Sequence, residues 1–164
     1  MRNIINIILF IFTIIITGCG TNSRPADLPT LYSCTITVTQ DGKPLEQAAV
    51  TFEPVDPAGV KYRAAAFTDV NGLVTMKTYG FSGVPTGKYK VVITKNVDDD
   101  FTYKLNESTG KDEPVSYKTY RTVEPKFSSA ETTPLEIEIS GKEKNVQKTF
   151  DVGKAIKESM PTNQ

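Results

Sequence analysis

This sequence predicts an all-β chain folded as a two-sheet sandwich, and three observations carry the prediction. From Leu31 onward the apolar residues recur with a period of two rather than the helical 3.6, as they do when alternate side chains point to opposite faces of a strand. Gly, Pro, Asn and Asp punctuate the chain at short intervals, so the segments between them have strand length. One face of each segment is apolar and must be covered, which a second sheet does. A closed barrel would satisfy the same pattern and stands as the alternative.

Seven strands follow in order. "YSCTITVTQ" alternates Tyr32, Cys34, Ile36 and Val38 against Ser33, Thr35, Thr37 and Thr39. Asp41-Gly42 follows it, a favoured hairpin pair because both positions tolerate positive φ. "AAVTFEP" turns Val50 and Phe52 inward and is ended by Pro54 and Pro57, which lack backbone donors. "KYRAAAFT" is the third strand, "TDVNG" a turn, and "LVTMKTY" the fourth, with Val74 and Met76 on one face. "PTGKYKVVITK" is the clearest, with Tyr89, Val91 and Ile93 inward and Lys90, Val92 and Thr94 outward. "PLEIEIS" sets Leu135, Ile137 and Ile139 against Glu136 and Glu138, and "NVQKTFDV" ends the domain with Val146, Phe150 and Val152.

The 164 residues, 38% of them apolar, suffice for one ordinary domain with a sizeable core. Lys plus Arg and Asp plus Glu both number 19, and no basic run or face tracks a phosphate backbone, so nucleic acid is not an expected partner.

The N-terminus reads as an address. Arg2 supplies a positive start, residues 4–16 an apolar stretch broken by Asn6 and Thr13, and Gly18 a small residue before Cys19. The stretch is shorter than the roughly 20 residues a bilayer span takes. Ile16-Thr17-Gly18-Cys19 resembles the lipobox of bacterial lipoproteins, which implies diacylglyceryl transfer to the Cys19 thiol, cleavage before Cys19 and acylation of the new amino group. A plain signal peptide, or a short membrane anchor with a chance Cys, is the competing reading. Acyl chains contribute about 0.8 kcal/mol per buried CH₂, so the membrane is an expected partner through the lipid on Cys19. The expected divisions are a signal peptide over 1–18, a lipidated Cys and flexible tether over 19–30, a sandwich over 31–152 and a tail over 153–164. Gly20, where an Asp resembles an inner-membrane retention signal, favours the outer membrane of the cell envelope. With Cys19 lipidated, Cys34 has no partner in the chain, and its place in a strand pattern reads as a buried small hydrophobe rather than a reactive thiol.

Three stretches carry a further resemblance. "TITVTQDGKPLEQAAVTFEPVD", "FTDVNGLVTMKTY" and "VPTGKYKVVITK" are similar to the carboxypeptidase regulatory-like, or transthyretin-like, modules of short bacterial lipoproteins. "EPKFSSAETTPLEIEISGKEKN" resembles the closing segment of the same group, with Phe127 where a Tyr is common. The matched residues, Gly42, Pro44, Asp69, Gly72, Pro85, Gly87 and Tyr89, are turn formers and core positions. The resemblance implies an Ig-like or prealbumin-like sandwich of seven strands, held to be a structural or binding module.

The chain contains no His, which removes Ser-His-Asp and Cys-His catalysis, the usual zinc hydrolase sites and imidazole proton shuttles. Hydroxyisourate hydrolases and intradiol dioxygenases resemble the fold but depend on His, so no enzyme and no catalytic residue is expected. An activity resting on Asp, Glu, Lys or Tyr is the remaining enzymatic alternative. Asp98-Asp99-Asp100 has cation-binding oxygens but lacks the alternating ligands and Gly of a calcium loop, so no metal and no cofactor is expected beyond the lipid on Cys19. Residues 97–133 are the anomaly, one long loop inserted between strands and carrying aromatic and cationic residues together. Phe101, Tyr103, Tyr117, Tyr120 and Arg121 are the candidate partner-binding residues, since rings and guanidinium give contact area at little entropy cost. An envelope protein or a glycan is the expected partner. The competing readings are aromatics folded back onto the sandwich, and a purely structural accessory subunit.

Overall fold

The computed structural model describes residues 24–161. The expected signal peptide, Cys19 and the first part of the expected tether lie outside the described residues, as do 162–164. What is described is the expected β-sandwich, with a projection that the sequence did not announce.

One sheet has β1 (Ser33–Gln40) at its centre. Antiparallel β2 (Lys43–Pro44) lies on one flank of β1. The other sheet contains β3 (Ala49–Pro54), β4 (Ala64–Phe67), β6 (Lys77–Thr78), β7 (Phe81–Ser82), β8 (Gly87–Thr94) and β11 (Glu136–Ile139) in the spatial order β11-β8-β3-β4-β6-β7. The first sheet is completed by β5 (Leu73–Thr75), antiparallel to β1, and β12 (Asn145–Asp151), parallel to it. β9 (Asn96–Asn106), β10 (Lys111–Arg121) and β13 (Glu158–Ser159) form a separate three-stranded sheet.

The inner faces are the ones the alternation predicts. Cys34, Ile36 and Val38 of β1, Val50 and Phe52 of β3, and Tyr89, Val91 and Ile93 of β8 all join one core with Ile137, Ile139, Phe150 and Val152. The Phe52 and Tyr89 rings lie 5.7 Å apart, a tilted aromatic pair. The Tyr89 hydroxyl donates to the Pro85 carbonyl at 2.9 Å, and burial pushes its phenol up to about 12. Cys34 is fully buried and burial pushes its thiol up to about 11, so it packs as a small hydrophobe.

Both expected turns are present. Asp41 and Gly42 both have positive φ, 51° and 71°, which matches the twist of the flanking strands. The Asp69 carboxylate accepts from the backbone N–H groups of Asn71 at 2.8 Å and Leu73 at 2.9 Å, closing the next turn. Two strands differ from expectation. Residues 57–62 form a 3₁₀ turn, because the Asp56 carboxylate caps Ala58 N–H at 3.0 Å and Pro57 starts the turn, so the third strand begins only at Ala64. "LVTMKTY" is broken at Met76, which crosses between the sheets: its N–H donates to Cys34 O at 2.9 Å and its carbonyl accepts from Gly83 N–H at 2.8 Å.

The ends of the domain are corrections too. The expected 97–133 loop is a β-hairpin, β9 and β10, followed by a 3₁₀ turn at Pro125–Phe127 that buries Phe127 in the core. Residues 24–30, expected as part of a flexible tether, are docked: Leu28 is buried, Arg24 Nη2 donates to Pro29 O at 2.7 Å, and Asp27 pairs with Lys61 at 3.1 Å. The expected C-terminal tail packs on the hairpin, with Tyr120 opposite Ser159 and Arg121 opposite Glu158. The two terminal segments are held by partners distant in the sequence, which local periodicity does not report.

Two substitutions test the packing. Ala at Gly42 would meet nothing within 4 Å, whereas at Gly72, φ +69°, its Cβ would stand 2.4 Å from Val38 O. Gly42→Ala is expected to cost about 1 kcal/mol of backbone strain, and Gly72→Ala a further 1–3 kcal/mol or so, by chemical denaturation. The buried Thr68 hydroxyl donates to Leu45 O at 2.6 Å and accepts from Ala48 N–H at 2.8 Å. Thr68→Val strands both backbone groups and is expected to lower stability by about 1–3 kcal/mol in the same measurement.

Candidate functional site

The hairpin of β9 and β10 is an arm with both faces in solvent: residues 98–105 and 111–118 are exposed. Its tip is a tight turn in which the Asn106 side chain accepts from Ser108 N–H at 2.9 Å, and Gly110 N–H donates to Asn106 O at 2.8 Å. Two register shifts bend the ribbon, between Pro114 and Ser116 and between Ser116 and Lys118. At the second, Asp100 and Phe101 oppose Tyr117 alone, and Asp100 takes φ 53°.

That bulge assembles the aromatic cluster. Phe101, Tyr103 and Leu105 alternate along one face of β9, and at the extra residue Tyr117 of β10 meets Phe101. The Phe101 ring lies 6.2 Å from Tyr103 and 5.7 Å from Tyr117, and the three side chains remain 43%, 58% and 54% exposed in the order Phe101, Tyr103, Tyr117. Exposed rings already in mutual contact leave an apolar area with little rotamer freedom to lose on binding. Three of the five sequence-predicted residues are therefore together on the arm.

Tyr120 and Arg121 are elsewhere. They lie at the base, where Tyr120 is almost fully buried and its hydroxyl donates to the Asp100 carboxylate. Arg121 pairs with Glu158 at 3.5 Å. Lys157, a residue the sequence did not single out, completes this buttress: its Nζ lies 2.8 Å from Asp99 Oδ2 and 4.4 Å from the centre of the Tyr120 ring. The Asp98 carboxylate accepts from the Thr119 hydroxyl at 2.7 Å. The three acids thus engage protein donors, and among the described residues no group of three or more His, Cys, Asp or Glu could hold a metal ion. Beside the buttress, Ser116, Tyr117, Lys118, Thr119, Ser159, Met160 and Pro161 line an open groove of about 450 Å³.

The arm's strand pattern was present in the sequence as Phe101, Tyr103 and Leu105 alternating with Thr102, Lys104 and Asn106. Pro114 obscured the second half, because Pro in a run argues against a central strand, and here it occupies a two-stranded ribbon at a register shift. Lys157 carried no signal, since its partners lie far away in the chain.

No family model matches this chain, and no curated protein matches it. Among solved structures it is similar to BcpA, the major pilin subunit of Bacillus cereus, with 18% identity and a TM-score of 0.40 over 76% of this chain. It is also similar to a 9R-lipoxygenase from Cyanothece, with 15% identity and a TM-score of 0.34 over 80% of this chain. The chain spans 30% of the pilin and 18% of the lipoxygenase. Neither resemblance extends to a function.

The buttress generates a pH dependence. Lys157 holds the Asp99 carboxyl below its ordinary value, so the pair favours the docked C-terminal segment above the usual carboxylate range and weakens as pH falls through the lowered pKa. Asp99 in turn raises Lys157, whose contribution is complete below the usual lysine value and is lost as pH rises through the raised one. The Met160 N–H, which donates to Thr119 O at 2.9 Å, reads out the docking. Its hydrogen-exchange protection is expected to be flat across neutral pH and to fall at both extremes, and Lys157→Ala is expected to lower it severalfold at pH 7.

Proposed function

We propose that this chain is a lipoprotein of the cell envelope, held by acyl chains on Cys19, whose arm captures a partner protein or glycan by binding rather than catalysis. The observation that carries the proposal is the exposed cluster of Phe101, Tyr103 and Tyr117, rings in mutual contact on a ribbon with both faces in solvent. Support for the anchor comes from the apolar run ending in Thr17-Gly18-Cys19, and support for a non-enzymatic role from a chain without His. The turn and core residues Gly42, Asp69, Gly72 and Tyr89 support placing the sandwich with the carboxypeptidase regulatory-like modules. Gly20 after the anchoring Cys supports the outer membrane. Tyr120 and Arg121 act as supports of the arm, and the contact belongs to the three exposed rings.

The test is cross-linking in living cells, followed by purification of the native protein and identification of what is captured. Replacing Phe101, Tyr103 and Tyr117 together by Ser leaves the core untouched and is expected to leave thermal stability unchanged while capture falls tenfold or more, on the order of a lost binding hot spot. Undiminished capture would move the contact off the arm and toward an accessory, structural role. Labelled fatty acid is expected to be incorporated into the wild-type chain and lost in Cys19→Ser, and incorporation undiminished in that variant would refute the lipid anchor on Cys19.

A further inference from the structure

The docked N-terminal segment gives the molecule a direction. Residues 24–30 lie against the 3₁₀ turn Pro57–Tyr62: Asp27 pairs with Lys61 at 3.1 Å, the Tyr62 hydroxyl donates to Asp27 O at 2.8 Å, and Leu28 N–H donates to Pro25 O at 3.1 Å. The chain from Cys19 to Arg24 reaches at most about 18 Å, at ~3.6 Å per residue. Lipid carried on Cys19 therefore keeps this end of the sandwich close to the bilayer.

The same end exposes side chains suited to that surface. Val60 and Tyr79 are 44% and 58% exposed, and the Tyr79 ring stands edge-on to Tyr62 at 6.5 Å. Lys61 Nζ lies 4.7 Å from the centre of the Tyr62 ring. Tyrosine with an aliphatic neighbour and a lysine stem is the composition that settles at the boundary between headgroups and acyl chains. Lys61 is paired with Asp27 and Arg63 with Glu53 at 2.5 Å, while Arg24 donates to backbone carbonyls, so attachment here is chiefly aromatic and aliphatic.

Strand register places the arm at the opposite end. Pro54, where β3 leads into the 3₁₀ turn, lies opposite Tyr89 near the start of β8, while Ala49 lies opposite Thr94 at its end. The arm leaves from that far end through Lys95, whose carbonyl accepts from Thr122 N–H at 3.0 Å. Tyr79 belongs to the near end, because Thr78 pairs with Ala64, which in turn pairs with Phe52. The eight residues of β8 separate the two ends by about 25 Å, at ~3.3 Å per residue.

We infer that the end formed by Val60, Tyr62 and Tyr79 rests on the lipid bilayer and that the sandwich is a spacer presenting the arm away from it. The inference rests on the reading that Cys19 carries lipid. The chain has no Trp, so a single introduced Trp reports on one place. The mature lipidated protein would be reconstituted into phosphatidylcholine vesicles with brominated acyl chains, as Tyr79→Trp, as Val60→Trp in case the first fails to fold, and as Tyr103→Trp. Trp at 79 or 60 is expected to be blue-shifted and quenched about twofold or more, as for a side chain seated at the headgroup boundary, and Trp at 103 to be unaffected. The contrast is expected to survive high salt. Unquenched Trp at both 79 and 60, in protein that floats with the vesicles and shows the lipid mass on Cys19, would overturn the orientation and leave the anchor standing. Quenching at 103 would also overturn it, by laying the arm on the membrane. Absence of lipid mass and of flotation would remove the anchor itself, and the orientation with it.

Discussion

The apolar faces of β1 and β8 cannot be left in water, and covering each with the other sheet is the constraint on which this structure depends. Both strands alternate without interruption, so a slip of one residue in either would turn the whole buried set outward. The register of the sheets follows from that penalty. Thr68, Thr78 and Thr133 are buried alongside, and each hydroxyl donates to a backbone carbonyl, so the polar groups that enter the core lose no hydrogen bonds there.

The arm obeys a different rule. It buries neither face against the sandwich, so its persistence depends on cross-strand pairing and on the buttress at its base. Lys157 bridges Asp99 and the Tyr120 ring, while Gln40 Nε2 from β1 and Ile156 N–H both donate to Thr122 O. The ribbon is thus fixed where it leaves the domain and open to solvent beyond. Such a distribution of stability suits a contact element, because the exposed rings can be used for binding without any cost to the core.

The opposed ends connect these features to the proposed role. The N-terminal segment docks before entering β1; in the proposed lipoprotein this would leave a short tether, and a short tether would make orientation a property of the fold rather than of chance. Under that proposal, a sandwich held in this way would serve as a rigid standoff for the arm.

Much of the sandwich was legible in the sequence. The alternation of Tyr89, Val91 and Ile93 set the inner face of β8, Asp41-Gly42 and Asp69-Val70-Asn71-Gly72 set two turns, and the strand pattern around Cys34 marked it as buried. These are local determinants: periodicity records which side of a strand is covered, and turn chemistry acts within a few residues. Of the candidate site, the sequence identified Phe101, Tyr103 and Tyr117 as a group but assigned them to a loop and included Tyr120 and Arg121 with them. Only the tertiary structure separated the base from the arm and docked both termini of the described chain. It also crossed the chain between sheets at Met76. Those outcomes were decided by contacts between residues distant in the chain, such as Lys157 with Asp99 and Asp27 with Lys61, which leave no periodic trace in the sequence that encodes them.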